Sequence, residues 1–142
     1  MTRSEMQAFV DRWVRAWTTS DLEGLLACYD PHAELHSPLF HTVRGTEGLE
    51  RSHQDLFLAF SDVATDVHEV VIDVEAQRAV LVFTIHATQR GEFLGFPSSG
   101  RRTATQSAFV FHMKDGRIIS ERRLYDFGGL MMQLGIIKTK NV

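Results

Sequence analysis

A single cysteine, Cys28, leaves this chain of 142 residues without an internal disulfide, and nothing basic flanks it to activate the thiol. Its reading is a buried, inert thiol in a reducing compartment. Only three prolines are present, and no proline-rich, low-complexity or repeated stretch marks a linker, so one domain over residues 1–142 is expected. No apolar run approaches the ~20 residues of a membrane span, and the first residues have no apolar core of a secretory signal. With a formal net charge of −3 and a pI near 6.1, the chain has no general attraction to nucleic acid or to an anionic membrane. A phosphate-cradling G-x-G-x-x-G loop and a G-x-S-x-G nucleophile elbow are both missing. Seven histidines are present, but His32, His36 and His41 straddle a strand and Pro38, with no cysteine or carboxylate cluster to complete a metal set. The expectation is a cytoplasmic protein with no metal and no cofactor.

What is present is periodicity. Ser4-x-x-Gln7 reads as a capping box, and Met6, Phe9, Val10, Trp13 and Trp17 follow at helical spacing. A second cap at Ser20 opens a helix through Leu22, Leu25, Leu26 and Tyr29, ended by Asp30-Pro31. Residues 33–37 form a short strand with a return over 39–44, and 46–60 reads as a third helix with Leu49, Leu56, Phe57 and Phe60 buried. From Val67 the period becomes two, giving strands near 70–74, 80–89, 103–112 and 117–126, with Asp115-Gly116 as a tight hairpin turn. Three helices followed by antiparallel strands is an α+β pattern, the helices covering one face of a curved sheet.

Two stretches carry a family resemblance. Residues 12–38, RWVRAWTTSDLEGLLACYDPHAELHSP, resemble the opening of the ketosteroid isomerases. GEFLGFPSSGRR, then FHMKDGRIISERRLYDF and the terminal QLG, resemble the SnoaL-like polyketide cyclases of the NTF2-like superfamily. The resemblance implies an NTF2-like, cystatin-like cone: a curved, mainly antiparallel sheet wrapped around three N-terminal helices. It also implies a homodimer through the outer sheet face, and a pocket for a small molecule. Position by position, the isomerases' oxyanion-hole tyrosine falls on Trp13, their general base on Ser37 and their second oxyanion donor at or near Ser107. The cyclases' catalytic aspartate falls on Arg123, and their pocket asparagine, glutamine and histidine on Ser37, Ser107 and Phe109. Ketosteroid isomerase chemistry is therefore not expected. Asp126 matches an acidic position in both families.

The chemistry-bearing residues concentrate at the last strand. Side chains at i and i+2 share a strand face ~7 Å apart, so Glu121, Arg123 and Tyr125 point the same way, and into the pocket on this reading. Arg123 either pairs with Glu121 in the wall or anchors a substrate carboxylate, enolate or phosphate. Glu121 is a candidate base beside that cation, and Tyr125 a donor to a developing oxyanion. Asp126 either caps a short terminal helix over 127–134 or joins the pocket. Trp13, Trp17, Ser37, His36, His86, Ser107 and Phe109 are candidate ligand contacts. The function expected is a cofactor-free cyclase, isomerase or lyase moving protons on an apolar, carbonyl-bearing, polyketide-like substrate. The alternative is a non-catalytic ligand-binding or dimerising protein.

Overall fold

In the computed structural model, which describes residues 1–138 and 140, α1 (Arg3–Thr18) and α2 (Leu22–Leu26) lead into β1 (Tyr29–Ser37), β2 (His41–Arg44) and α3 (Gly45–Ala59). Four strands follow, β3 (Phe60–Asp73), β4 (Arg78–Gln89), β5 (Arg102–Lys114) and β6 (Arg117–Tyr125), and then α4 (Phe127–Gln133). The sheet has six strands in the order β2-β1-β6-β5-β4-β3. Every neighbouring pair is antiparallel except β1 and β6, which run parallel. The α+β cone expected from the sequence is the fold observed.

Several boundaries differ from the sequence reading, each for a local reason. The first helix is capped by Thr2, not Ser4: Thr2 Oγ1 accepts the Glu5 amide at 3.2 Å, and the Thr2 hydroxyl donates in turn to the Glu5 carboxylate at 3.1 Å. Asp21, not Ser20, caps α2, because Ser20 sits at φ 54° while an N-cap needs extended backbone. The second helix stops at Leu26, and Tyr29, Asp30 and Pro31 belong to β1. Pro31 has no amide to donate, and the β1–β6 register shifts between Tyr29 and Glu34. The strand expected from Val67 starts at Phe60; irregular pairing between Ser61 and Ala64, with Asp62 at φ 53°, hides its alternation. At the Asp115-Gly116 turn both residues have positive φ (51° and 76°), the backbone that a two-residue hairpin with the right twist requires.

Packing follows from the two periods. The stripe Met6, Phe9, Val10, Trp13, Ala16 and Trp17 of α1 is buried against the concave sheet face, where β4 contributes Leu81 and Phe83 and β5 contributes Phe109 and Phe111. The Trp13 ring lies 5.1 to 6.0 Å from those of Phe83, Phe109 and Phe111. Each such fully buried side chain contributes about 1.5–3 kcal/mol. A second, smaller cluster of Ala59, Phe93, Leu130, Met131 and Leu134 lies where α4 and the 91–100 loop meet the end of α3. Gly91 is required there, since a Cβ would meet the Leu58 carbonyl oxygen at 2.3 Å. Gln133 ties α4 to β5 by accepting the Ala104 amide at 2.8 Å and donating to the Ala104 carbonyl at 3.0 Å. The space left between the two clusters is the cavity. No helix among the described residues is long and apolar enough to cross a membrane.

Candidate functional site

The cavity and its mouth together span about 760 Å³ of non-atom space, open solvent included. Its wall is aromatic and aliphatic, with Trp17, Phe57, Phe60, Phe93 and Ile85 prominent, and its few polar groups include Arg123, Tyr125, Ser107 and Ser37. Pairing of Phe109 with Arg123 and of Ser107 with Tyr125 brings these β5 and β6 side chains to one concave face.

Arg123 is 3% exposed and is held from behind. Its Nε donates to Glu121 Oε2, and its Nη2 donates to His53 Nε2 at 2.7 Å and to the Tyr29 hydroxyl at 3.4 Å. Its guanidinium carbon also lies 5.0 Å from the Trp17 ring centroid and 4.9 Å from that of Phe109, within cation–π range. Among the described residues Nη1 has no hydrogen-bond partner, and it is not one of the fully buried unpaired atoms, so it keeps surface open to the cavity. It is the guanidinium nitrogen free to serve the cavity. Burial alone would disfavour the charge, but the adjacent Glu121, with Tyr29, more than offsets it and raises the guanidinium pKa.

Glu121 has no exposed surface, and its two oxygens are taken by Tyr29 and Arg123. Tyr29 donates to Glu121 while accepting from Trp13 Nε1 at 3.1 Å; burial first, and Glu121 second, lift its phenol well above the usual range. His53 has one tautomer that fits its partners: Nδ1–H donates to the Leu49 carbonyl at 2.7 Å and Nε2 accepts from Arg123. Burial, and then the facing guanidinium, lower its pKa to about 3, so the imidazole is neutral. Tyr125 is also pushed up, mainly by burial, and remains a phenol able to donate.

A model of the SnoaL-like polyketide cyclase family matches residues 7–134. The chain belongs to the SnoaL-like polyketide cyclase family. No curated protein matches it. Among solved structures, AclR from Streptomyces galilaeus superposes with a TM-score of 0.84 at 23% identity, over 96% of this chain and 100% of that one. TsrD from Streptomyces laurentii gives 0.83 at 26% identity, covering 96% and 99%. IdmH from Streptomyces antibioticus gives 0.75 at 24% identity, covering 92% and 98%.

Within this SnoaL-like frame the expected site residues separate into groups. Arg123, Tyr125, Trp17, Ser37, Ser107 and Phe109 line the cavity. Trp13 is fully buried beneath Trp17, its ring stacked 5.3 Å away, and does not reach the wall. Glu121 shares the concave face but is sealed behind Arg123. Asp126 accepts the Gly129 amide at 2.9 Å as the N-cap of α4 and is not part of the wall. The strand period turns His36 and His86 away, because their neighbours Ser37, Ile85 and Ala87 face inward. His36 lies against Thr42 and Glu34, and His86 against Asp66 at 2.9 Å. Tyr29 and His53 are the residues the sequence reading passed over. His53 had a usable signal: with Leu49 and Leu56 it continues one helical stripe at spacings of four and three. Among the described residues no carboxylate or imidazole lines the cavity, and no group of three or more His, Cys, Asp or Glu could hold a metal ion.

Proposed function

We propose that this SnoaL-like protein binds a largely apolar, carbonyl-bearing, polyketide-like molecule and promotes its cyclisation without a cofactor. In this reading the ligand's hydrocarbon frame packs between Trp17 and the phenylalanines, and its carbonyl oxygen takes hydrogen bonds from Arg123 Nη1 and the Tyr125 hydroxyl. A proton on carbon between two carbonyls is acidic enough to leave to water at the mouth. The C–H electron pair then moves onto oxygen, and the two donors, Arg123 Nη1–H and the Tyr125 hydroxyl, stabilise the developing enolate oxygen through hydrogen bonds that strengthen as its charge grows. Carbon–carbon bond formation at a second carbonyl produces an alkoxide, which takes a proton from Tyr125, and solvent restores the phenol. Support comes from one observation above the others: an unpartnered nitrogen of a rigidly held guanidinium at an apolar cavity. Glu121 and Asp126 have no direct part in this scheme, being occupied by Arg123 with Tyr29 and by the Gly129 amide respectively.

Ligand binding without turnover is the second reading, favoured by the lack of a carboxylate or imidazole in the described cavity wall. The two separate by deuterium uptake. A 1,3-diketone such as 1-phenyl-1,3-butanedione, incubated with the protein in D2O, should gain deuterium at its central carbon at least about tenfold faster than in buffer. Tyr125→Phe should reduce that acceleration. Saturable binding with no acceleration would leave the binding reading alone.

The same proposal includes a homodimer through the convex sheet face. Val71 and Leu124 are 57% and 53% exposed there, and Val80, Val82, Ala108 and Val110 lie half-buried between them across four strands.

A further inference from the structure

Resting on the carbonyl-binding reading above, we infer that Glu121 is a specificity-determining residue. By neutralising Arg123 from behind, it makes the cavity select an uncharged acceptor oxygen, as in a ketone, ester or hydroxyl, over a carboxylate or phosphate. An arginine in a pocket ordinarily points to an anionic ligand, and the surroundings of this one argue otherwise. Its Nε is spent on Glu121 and its Nη2 on His53 and Tyr29, so a single nitrogen, Nη1, serves the cavity. A bidentate carboxylate clamp, the arrangement that makes arginine strong for anions, needs two.

The charges lead to the same result. The titratable groups packed around the guanidinium are Glu121 and Tyr125 on its own strand, Tyr29 from β1 and His53 from α3; α1 and β5 contribute only the uncharged Trp17 and Phe109. Cys28, a buried thiol, lies beyond Glu121. Tyr29, Tyr125 and His53 are neutral, so the floor of the cavity carries one cation and one anion and no net charge. An entering carboxylate would shed its water against an apolar wall and meet a guanidinium whose far side already holds Glu121. Two anions across one buried cation repel through a low dielectric. A carbonyl gives up far less hydration and needs one good donor. Glu121 acts through Arg123 and touches no ligand, so its role is one of position and charge.

The test uses methyl 4-tert-butylbenzoate and 4-tert-butylbenzoic acid, whose only oxygens are those of the ester or carboxyl group, titrated against the whole protein by tryptophan fluorescence. The ligand's carboxyl titrates near pH ~4. The ester should bind with constant affinity between pH ~5 and ~7, and the acid should weaken about tenfold per pH unit, because only its protonated form fits. Glu121→Gln should raise acid affinity relative to ester by at least about tenfold at neutral pH. If that variant does not fold, Glu121→Asp, which draws the carboxylate back from the guanidinium by one methylene, should raise the acid-to-ester ratio in the same direction by a smaller factor, and an unchanged ratio there removes Glu121 as the cause. An acid that binds as tightly as the ester across the range overturns the inference and leaves carbonyl binding standing. A folded Glu121→Gln protein with an unchanged acid-to-ester ratio removes Glu121 as the cause. If neither compound binds at any pH, the carbonyl-binding reading fails and takes the inference with it.

Discussion

Removing one partner of a buried ion pair leaves the other charged in a low-dielectric interior, at a cost of about 3–5 kcal/mol. Arg123→Met should therefore destabilise the protein by about that amount in urea denaturation, because Glu121 keeps only Tyr29 as a partner. The double variant Glu121→Leu/Arg123→Met should recover much of the loss, since it removes both charges together. His53 gives a pH signature. Its pKa is about 3 in the folded protein and about 6.5 when unfolded, so between those values the unfolded chain holds the extra proton. Stability from this group is complete above pH ~6.5 and is lost as the pH falls toward 3. Between pH ~7 and ~4.5 the wild type should lose about 2–3 kcal/mol more than His53→Gln in parallel urea titrations. The shared face of Glu121, Arg123 and Tyr125 was legible in the sequence because a strand has a fixed period of two. Tyr29 and His53 were not, since they meet this strand across 92 and 70 residues, and no local pattern encodes such contacts.

Elements are most sensitive at their ends. Asp126 holds the Gly129 amide at the start of α4, and Asp126→Ala should cost about 1 kcal/mol, as lost N-caps do. Ligand affinity measured in the same protein should be unchanged, whereas a pocket role for Asp126 would lower it. This cap was readable because aspartate immediately precedes a short apolar run. The caps of α1 and α2 were misplaced for an instructive reason. Thr2-x-x-Glu5 and Ser4-x-x-Gln7 are overlapping boxes, and only backbone conformation chooses between them. Ser20 and Asp21 are both good capping residues, and the left-handed φ of Ser20 decides for its neighbour. The early start of β3 was concealed by its bulge, where an extra residue breaks the alternation on which a strand is recognised.

At the scale of the molecule, element order and patterning are enough for the cone, because amphipathic helices and alternating strands have few ways to bury their apolar faces together. The cavity is a weaker sequence signal: it is what the packing of α1, α3, α4 and the 91–100 loop leaves unfilled, and no single stretch specifies a void. The convex face carries the assembly prediction. Sedimentation equilibrium should give a dimer for the wild type, and Leu124→Glu should give a folded monomer whose melting temperature, unlike the wild type's, does not change with protein concentration, since Leu124 is exposed in the isolated chain. A wild-type monomer at micromolar concentration would remove the dimer from the account. The whole reading depends on Arg123 offering one nitrogen to a neutral oxygen inside an apolar chamber. A crystal structure at saturating 1-phenyl-1,3-butanedione tests this most directly. The account predicts the diketone inside the cavity with a carbonyl oxygen within hydrogen-bond distance of Arg123 Nη1, and a cavity left empty, or a diketone whose oxygens point away from Arg123, would contradict it.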